Sequence, residues 1–259
     1  MSQLPFTPEQ HGFSFNNTWH LAEPDKKRYQ HLLLVFSVMG WRVLASRKGW
    51  LNDRLRWGLA MLVQLAVILA YRQLNFYAFG LCGGMSFTEL DYFRSGQPIP
   101  LRGLTSQPSK QHHTESRLRA YIWARTLDSL LLNTPRVLIW MGLGRFHPHR
   151  RQVLKEKTRV ELDTLKNIID SGSPWPICLI GTTWSPFLNH QVLAVGYEEL
   201  ANSITISVHD SNCPDRLSQI SFDFTLPSLT TRETCPSKRR GPVQSIFCET
   251  YRFSQPPQI

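Results

Sequence analysis

The chain has 259 residues, with 29 Lys and Arg against 19 Asp and Glu, so its formal net charge is +10. Hydrophobic residues make up 42% of it, which excludes a disordered protein, because that much apolar surface can offset the entropy lost on folding. The length predicts one large domain, or one domain with an insertion. The first residues lack a basic segment followed by an apolar run, so no cleaved signal peptide is expected.

In chain order, the first predicted segment is a leader, residues 1–25, which we expect to pack on the core. The next, residues 26–75, carries nine basic residues and a single acid, Asp53, which gives a net charge of +8. Two apolar runs, 32–45 and 57–71, flank a basic stretch, and the second is rich in Ala, Leu, Met and Gln. This pattern predicts an inserted helical hairpin with a basic turn.

The hairpin at 26–75 has three interpretations that stay open at this stage. Each apolar run is shorter than the roughly 20 residues that a membrane-spanning helix needs. Two amphipathic helices packed on the core are one interpretation, and a pair lying on an anionic membrane surface is the second. The third is a hairpin inserted into the membrane.

The third segment, residues 76–259, is predicted to be a compact α+β unit. Helices are expected at about 83–95, 114–143 and 150–170, with an interruption of the middle one at Pro135 as an open alternative. Short strands without intervening helices follow, which favours an antiparallel sheet. The predicted strands are Ile177–Gly181, Gln191–Glu198, Ile204–His209, Gln219–Phe224 and Ser245–Phe253.

The most informative motif is Gly80–Met85, with the sequence GLCGGM. Cys82 stands directly before two glycines at the predicted start of a helix. Unpaired N–H groups and the positive end of the helix dipole stabilise a thiolate there. The glycines are expected to leave room for a substrate carbonyl. A small buried cysteine at a helix start is the structural alternative.

Two further residues lie where they could assist this thiol. His190 begins one predicted strand, and Asp210 follows the end of the next. Because neighbouring antiparallel strands place the start of one beside the end of the other, we expect these residues at one sheet edge. A thiol, an imidazole and an orienting carboxylate form the arrangement that acyl transfer requires.

At these residues the sequence resembles the papain-like cysteine peptidase superfamily, and more closely an uncharacterised bacterial family with a papain-like fold and a Gly-Leu-Cys-Gly-Gly-Met motif. The resemblance implies that Cys82 is the nucleophile, His190 the general base and acid, and Asp210 the orienting group. It also implies a papain-like fold, with helices packed on an antiparallel sheet. The similar segments are Gly12–Trp19, Gly80–Pro100, Tyr121–Leu130 and Cys178–Pro214.

Two features depart from that family. Papain-type enzymes have a Gln six residues before the cysteine to complete the oxyanion hole, whereas this chain has Phe76. The side chains that could substitute are Gln73, Asn75, Asn16 and Asn17. The insertion at 26–75 is also outside the family pattern.

Other chemistries have little support. The pairs His112–His113 and His147–His149 lack zinc-site spacing, and no phosphate-binding glycine loop is present, so neither a metal nor a cofactor is predicted. The basic residues alternate with aliphatic ones rather than with aromatic stacking platforms, so no nucleic-acid partner is expected.

The sequence therefore predicts a cysteine hydrolase, a peptidase or acyltransferase acting on a peptide or acyl substrate. The alternative is a catalytically silent papain-like scaffold that binds an anionic membrane surface or a protein through residues 26–75. Five cysteines in so long a chain are expected to be mostly reduced, which predicts a cytoplasmic protein with peripheral membrane contact as a further option.

Overall fold

A computed structural model describes residues 1–19 and 80–259, apart from 226, 227 and 239, and the single positions Lys27, Gln30 and Val38. The chain divides into two compact units, Met1–Asn17 with Leu81–Ile259, and Thr18–Gly80. The hairpin predicted at 26–75 falls in the second unit and, except for those three positions, lies outside the described residues.

The helical part of the first unit follows the predicted order. A short strand, β1 (Ser2–Gln3), and a one-turn helix, α1 (Pro8–His11), precede three longer helices. These are α2 (Cys82–Arg94), α3 (His113–Phe146) and α4 (Arg150–Asp170). Helix α3 continues through Pro135, which is exposed, so the interruption considered there does not occur.

The second half of the unit forms an antiparallel sheet, as predicted. Its strands are β2 (Trp175–Gly181), β3 (His190–Leu200), β4 (Ser203–His209), β5 (Leu217–Asp223), β6 (Thr230–Glu233) and β7 (Val243–Cys248). The order across the sheet is β6-β5-β4-β3-β2-β7, and β1 pairs with β3. This architecture is α+β.

The last strand is shorter than predicted. It ends at Cys248 rather than Phe253. The N–H of Glu249 still donates to the carbonyl of Pro176 in β2, but the N–H of Thr250 donates to Asn133 Oδ1 of helix α3 at 2.8 Å. Strands β1 and β6 were not predicted, because two and four residues are too few to show an alternating pattern.

Both faces of the sheet are covered by helices. One face packs against α4 through Leu162, Leu165 and Ile169. On the other face, Leu193 and Val195 of β3 contact α2, while Cys178, Ile180 and Phe247 contact α3. Side chains that alternate along each strand therefore divide between two cores, and α2 and α3 share one side of the sheet.

A buried polar cluster fixes α2 against α3 and the C-terminal segment. Asp91 of α2 pairs with Arg125 of α3 at 2.6 Å. The same carboxylate accepts hydrogen bonds from Tyr121 at 2.9 Å, Tyr251 at 2.6 Å and the N–H of Ser254 at 3.1 Å. Burial raises the pKa of Asp91, while these donors oppose that rise. The cluster holds in place the helix that carries Cys82.

Among the residues that the structure describes, no helix combines the length and the apolar character needed to cross a membrane.

Candidate active site

Cys82 is the first residue of α2, at the helix N-terminus as the motif predicts. Leu81 precedes the helix, and its N–H donates to Asn17 Oδ1 at 2.6 Å, which ties the leader to the start of α2. Cys82 is partly exposed, whereas the other two free cysteines, Cys178 and Cys248, are buried. Burial raises the pKa of Cys178 well above its usual value and that of Cys248 to about 12. Cys82 is therefore the accessible thiol.

The two glycines after Cys82 have a packing role rather than the substrate-facing role expected from the sequence. A Cβ at Gly84 would overlap the side chain of Thr126 and the carbonyl of Ile122, both on α3. A Cβ at Gly83 would overlap the amide of Gln191 and the hydroxyl of Ser129. Both glycines are buried, so they allow α2 to approach its neighbours closely.

His190 and Asp210 meet at one sheet edge, as the strand order predicts. His190 is the first residue of β3, and the pairing of Leu193 with His209 brings the end of β4 alongside it. The ring Nε2 of His190 lies 2.7 Å from Asp210 Oδ1, and both side chains are buried. The N–H of Asn212 donates to the same carboxylate oxygen at 2.8 Å.

Asp210 and Cys82 both affect the pKa of His190. Burial by itself lowers the pKa of His190, but the charge and hydrogen bond of Asp210 and the hydrogen bond with Cys82 outweigh it and raise the pKa to about 10. Burial raises the pKa of Asp210, and the His190 charge and its hydrogen bonds more than reverse this, so the pKa is lowered. His190 is therefore an imidazolium at neutral pH, paired with the Asp210 carboxylate.

A second buried ion pair supports the segment that carries Asp210. His209 Nδ1 lies 3.0 Å from Glu89 Oε2 of α2, and Glu89 Oε1 accepts the N–H of Phe13 at 3.1 Å. The backbone N–H of Asn17 donates to the carbonyl of Ser211 at 2.9 Å. The leader, α2 and the end of β4 are therefore joined around the site.

The loop after Asp210 is also closed covalently. Cys213, whose N–H donates to the carbonyl of Asp210 at 2.8 Å, forms a disulfide with Cys235. The expectation of mostly reduced cysteines thus holds for Cys82, Cys178 and Cys248 but not for this pair. A disulfide is typical of proteins in oxidising compartments. The Cys213–Cys235 bond therefore gives no support to the cytoplasmic location, which stays a prediction.

Sequence reasoning missed a buried polar network on the other side of Cys82. The sulfur lies 3.7 Å from Gln191 Oε1, and Gln191 Nε2 donates to Ser129 Oγ at 2.8 Å and to Glu249 Oε1. Ser129 and Glu249 are buried. A glutamate that directly follows the apolar strand β7 was the one signal in the sequence that could have drawn attention to it.

Of the two candidate oxyanion donors that the structure describes, Asn16 and Asn17, it is Asn17 that contacts the start of α2. Asn16 is exposed, and Gln73, Asn75 and Phe76 lie outside the described residues. Within residues 1–19 and 80–259, no group of three or more His, Cys, Asp or Glu side chains is arranged to hold a metal ion.

Comparisons with known proteins give no family for this chain. No protein-family model matches it, and neither the curated proteins nor the solved structures include a significant match.

Proposed function

We propose that the protein is a papain-like cysteine hydrolase in which Cys82 is the nucleophile, His190 the general base and acid, and Asp210 the orienting carboxylate. The observation that carries the proposal is the contact of the His190 ring with Asp210 at 2.7 Å, together with the influence of Cys82 on the pKa of that ring and the position of Cys82 at a helix N-terminus. These three groups have the roles that acyl transfer needs.

The first half of the reaction forms a thioester. Because Asp210 occupies Nε2 of His190, Nδ1 is the ring nitrogen that holds the proton given up by Cys82, and the reacting form is a thiolate beside an imidazolium. The Cys82 sulfur then attacks the substrate carbonyl carbon, and the carbonyl π electrons move onto the oxygen. When the tetrahedral intermediate collapses, the bond to the leaving nitrogen or oxygen breaks, and His190 gives that atom its proton.

The second half returns the enzyme to its starting state. His190, now neutral, takes a proton from a water molecule as the water oxygen attacks the thioester carbon. The carbon–sulfur bond breaks, the acid product leaves, and the sulfur departs as a thiolate beside the imidazolium, which restores the starting pair. Asp210 stabilises the imidazolium at each stage and keeps the ring in one orientation.

Two donors are available for the oxyanion. The N–H of Cys82 is in the first turn of α2, where backbone N–H groups have no partner within the helix. The Oδ1 of Asn17 is bonded to Leu81, so its Nδ2 is the part of the amide left to donate. We assign this Nδ2 as the side-chain donor that replaces the missing glutamine.

The substrate class of this proposal is a peptide or another acyl compound with an amide or ester bond. Hydrolysis of a 4-nitrophenyl ester series and of a fluorogenic peptide library tests it, together with mass spectrometry of the acylated protein. We expect release of product with transient acylation of Cys82, and loss of both in Cys82→Ala and His190→Ala. Turnover that survives Cys82→Ala would exclude the mechanism.

A further inference from the structure

The C-terminal half of helix α3 presents an apolar face to solvent. Between residues 129 and 146, all of which the structure describes, the four exposed residues are Leu131, Pro135, Ile139 and Phe146. Their spacing of four, four and seven residues places them on one side of the helix, and we call them the apolar stripe. Ile139 is 59% exposed and Phe146 is 73% exposed, although the solvent side of a surface helix ordinarily carries polar groups.

The apolar stripe is continuous along the helix. Gly142 lies on the same side, and a Cβ at this position would meet no atom of the described residues within 4 Å. From Leu131 to Phe146 the stripe is about 22 Å long, because an α-helix rises 1.5 Å per residue. A single exposed apolar side chain is ordinary, but a contiguous apolar surface of this kind marks a site of interaction.

Positive charge borders the apolar stripe. The segment 129–155 contains five Arg and Lys residues and no Asp or Glu. Two of them, Arg150 and Arg151, are exposed in the first turn of α4, directly after the end of α3. The acid that precedes this segment, Asp128, is paired with Arg125 at 2.6 Å. We therefore expect the partner of this surface to carry negative charge.

An exposed tryptophan lies at the basic end of the stripe. Trp184 is 73% exposed and belongs to the connection between β2 and β3. The guanidinium of Arg145 lies 3.7 Å from the centre of its ring and donates to the carbonyls of Thr182, at 3.0 Å, and Thr183. Arg145 therefore holds this loop against the last turn of α3, where Phe146 follows. Exposed aromatic rings beside arginines are typical of segments at the surface of a bilayer.

We propose that the apolar stripe, together with Trp184 and the arginines at its end, is the surface through which the protein binds an anionic lipid bilayer. Ile139 and Phe146 enter the boundary between head groups and acyl chains, and Arg150 and Arg151 pair with lipid phosphates. A protein partner fits this surface less well, because protein interfaces carry about one hydrogen bond per 100–200 Å², and the stripe has no polar side chain to contribute. The proposal does not depend on the catalytic function proposed above.

The direct test is a fluorescent label on the stripe. Cys82 is the accessible native thiol, so in a Cys82→Ala chain a cysteine introduced on the surface is the one that a thiol-reactive NBD dye modifies. We expect the labelled Ile139→Cys protein to gain at least about twofold in emission, with a shift to shorter wavelength, on vesicles with about one third phosphatidylglycerol. The matched control is Leu200→Cys, at the far end of β3 from His190, where the label should not respond.

Three results would overturn the proposal. If the protein co-sediments with these vesicles while the label at Ile139→Cys does not respond, the bilayer is contacted elsewhere, for example by residues 26–75. If the label is already shifted without vesicles and the shift grows with protein concentration, a second copy or another protein surface covers the stripe. If that shift is independent of concentration, another part of the same chain covers it.

Unlabelled variants separate the apolar and the charged contributions. The double variant Ile139→Gln with Phe146→Gln should lower the affinity for anionic vesicles about tenfold, because both side chains lose their contact with the acyl region. Arg150→Gln with Arg151→Gln should also lower it about tenfold at low salt. All four side chains are exposed, so the fold should be kept. Leu200→Gln should bind like the unmodified chain, and equal binding by all of these proteins would contradict the proposal.

Discussion

Replacing Asp210 with Asn removes the charge that holds His190 as an imidazolium and leaves a side chain of nearly the same shape. In the folded protein the pKa of His190 is raised from 6.5 to about 10, so the ion pair stabilises the fold fully below pH 6.5 and is lost as the pH rises through 10. A difference of one in pKa between the folded and unfolded states corresponds to about 1.4 kcal/mol. The unfolding free energy of the unmodified protein should therefore fall by roughly 3–5 kcal/mol between pH 6.5 and pH 9.5 because of this pair.

The assay is urea unfolding of both proteins at these two pH values, followed by tryptophan fluorescence. We expect Asp210→Asn to be less stable by roughly 3–5 kcal/mol at pH 6.5 and by about 1 kcal/mol at pH 9.5. His209 and Glu249 are present in both proteins, so their titration largely cancels in the difference. A difference in unfolding free energy that is the same at both pH values would refute the reasoning.

Three further predictions concern the oxyanion donor, the helix contact and the insertion. Asn17→Ala should lower kcat about 100-fold on any ester that the protein hydrolyses, with KM little changed, as steady-state kinetics would show. Gly84→Ala should cost roughly 1–3 kcal/mol of unfolding free energy, because its Cβ meets α3. Gly142→Ala is the matched control, because a Cβ at this position would contact no neighbouring atom. It should leave the unfolding free energy unchanged or raise it. On the membrane-surface interpretation of residues 26–75, the full chain should co-sediment with anionic but not zwitterionic vesicles, and 0.5 M salt should release it; equal binding to both would contradict that interpretation.

The parts of the fold that could be predicted are those with a strong local pattern. The three long helices and the strands from 177 to 224 have clear periodicities, and the antiparallel order follows from their short connections. That order was enough to bring His190 beside Asp210, because strand adjacency determines which ends meet.

The rest depends on contacts between residues distant in sequence. Nothing near Glu249 indicates that it lies behind Gln191, since β7 and β3 are joined only through β2. The role of the glycines after Cys82 was misjudged for the same reason, because the α3 side chains they contact lie some 40 residues further along. Asn17 could be named as a candidate, but choosing it required the Leu81 contact.

The most direct test of the central claim is the alkylation rate of Cys82 at pH 6.5, compared with that of a free cysteine peptide. We expect Cys82 to react at least about 10-fold faster than the peptide, because the imidazolium of His190 stabilises its thiolate, and His190→Ala to remove most of that advantage. Equal rates for Cys82, the peptide and the His190→Ala variant would contradict a Cys82–His190–Asp210 active site.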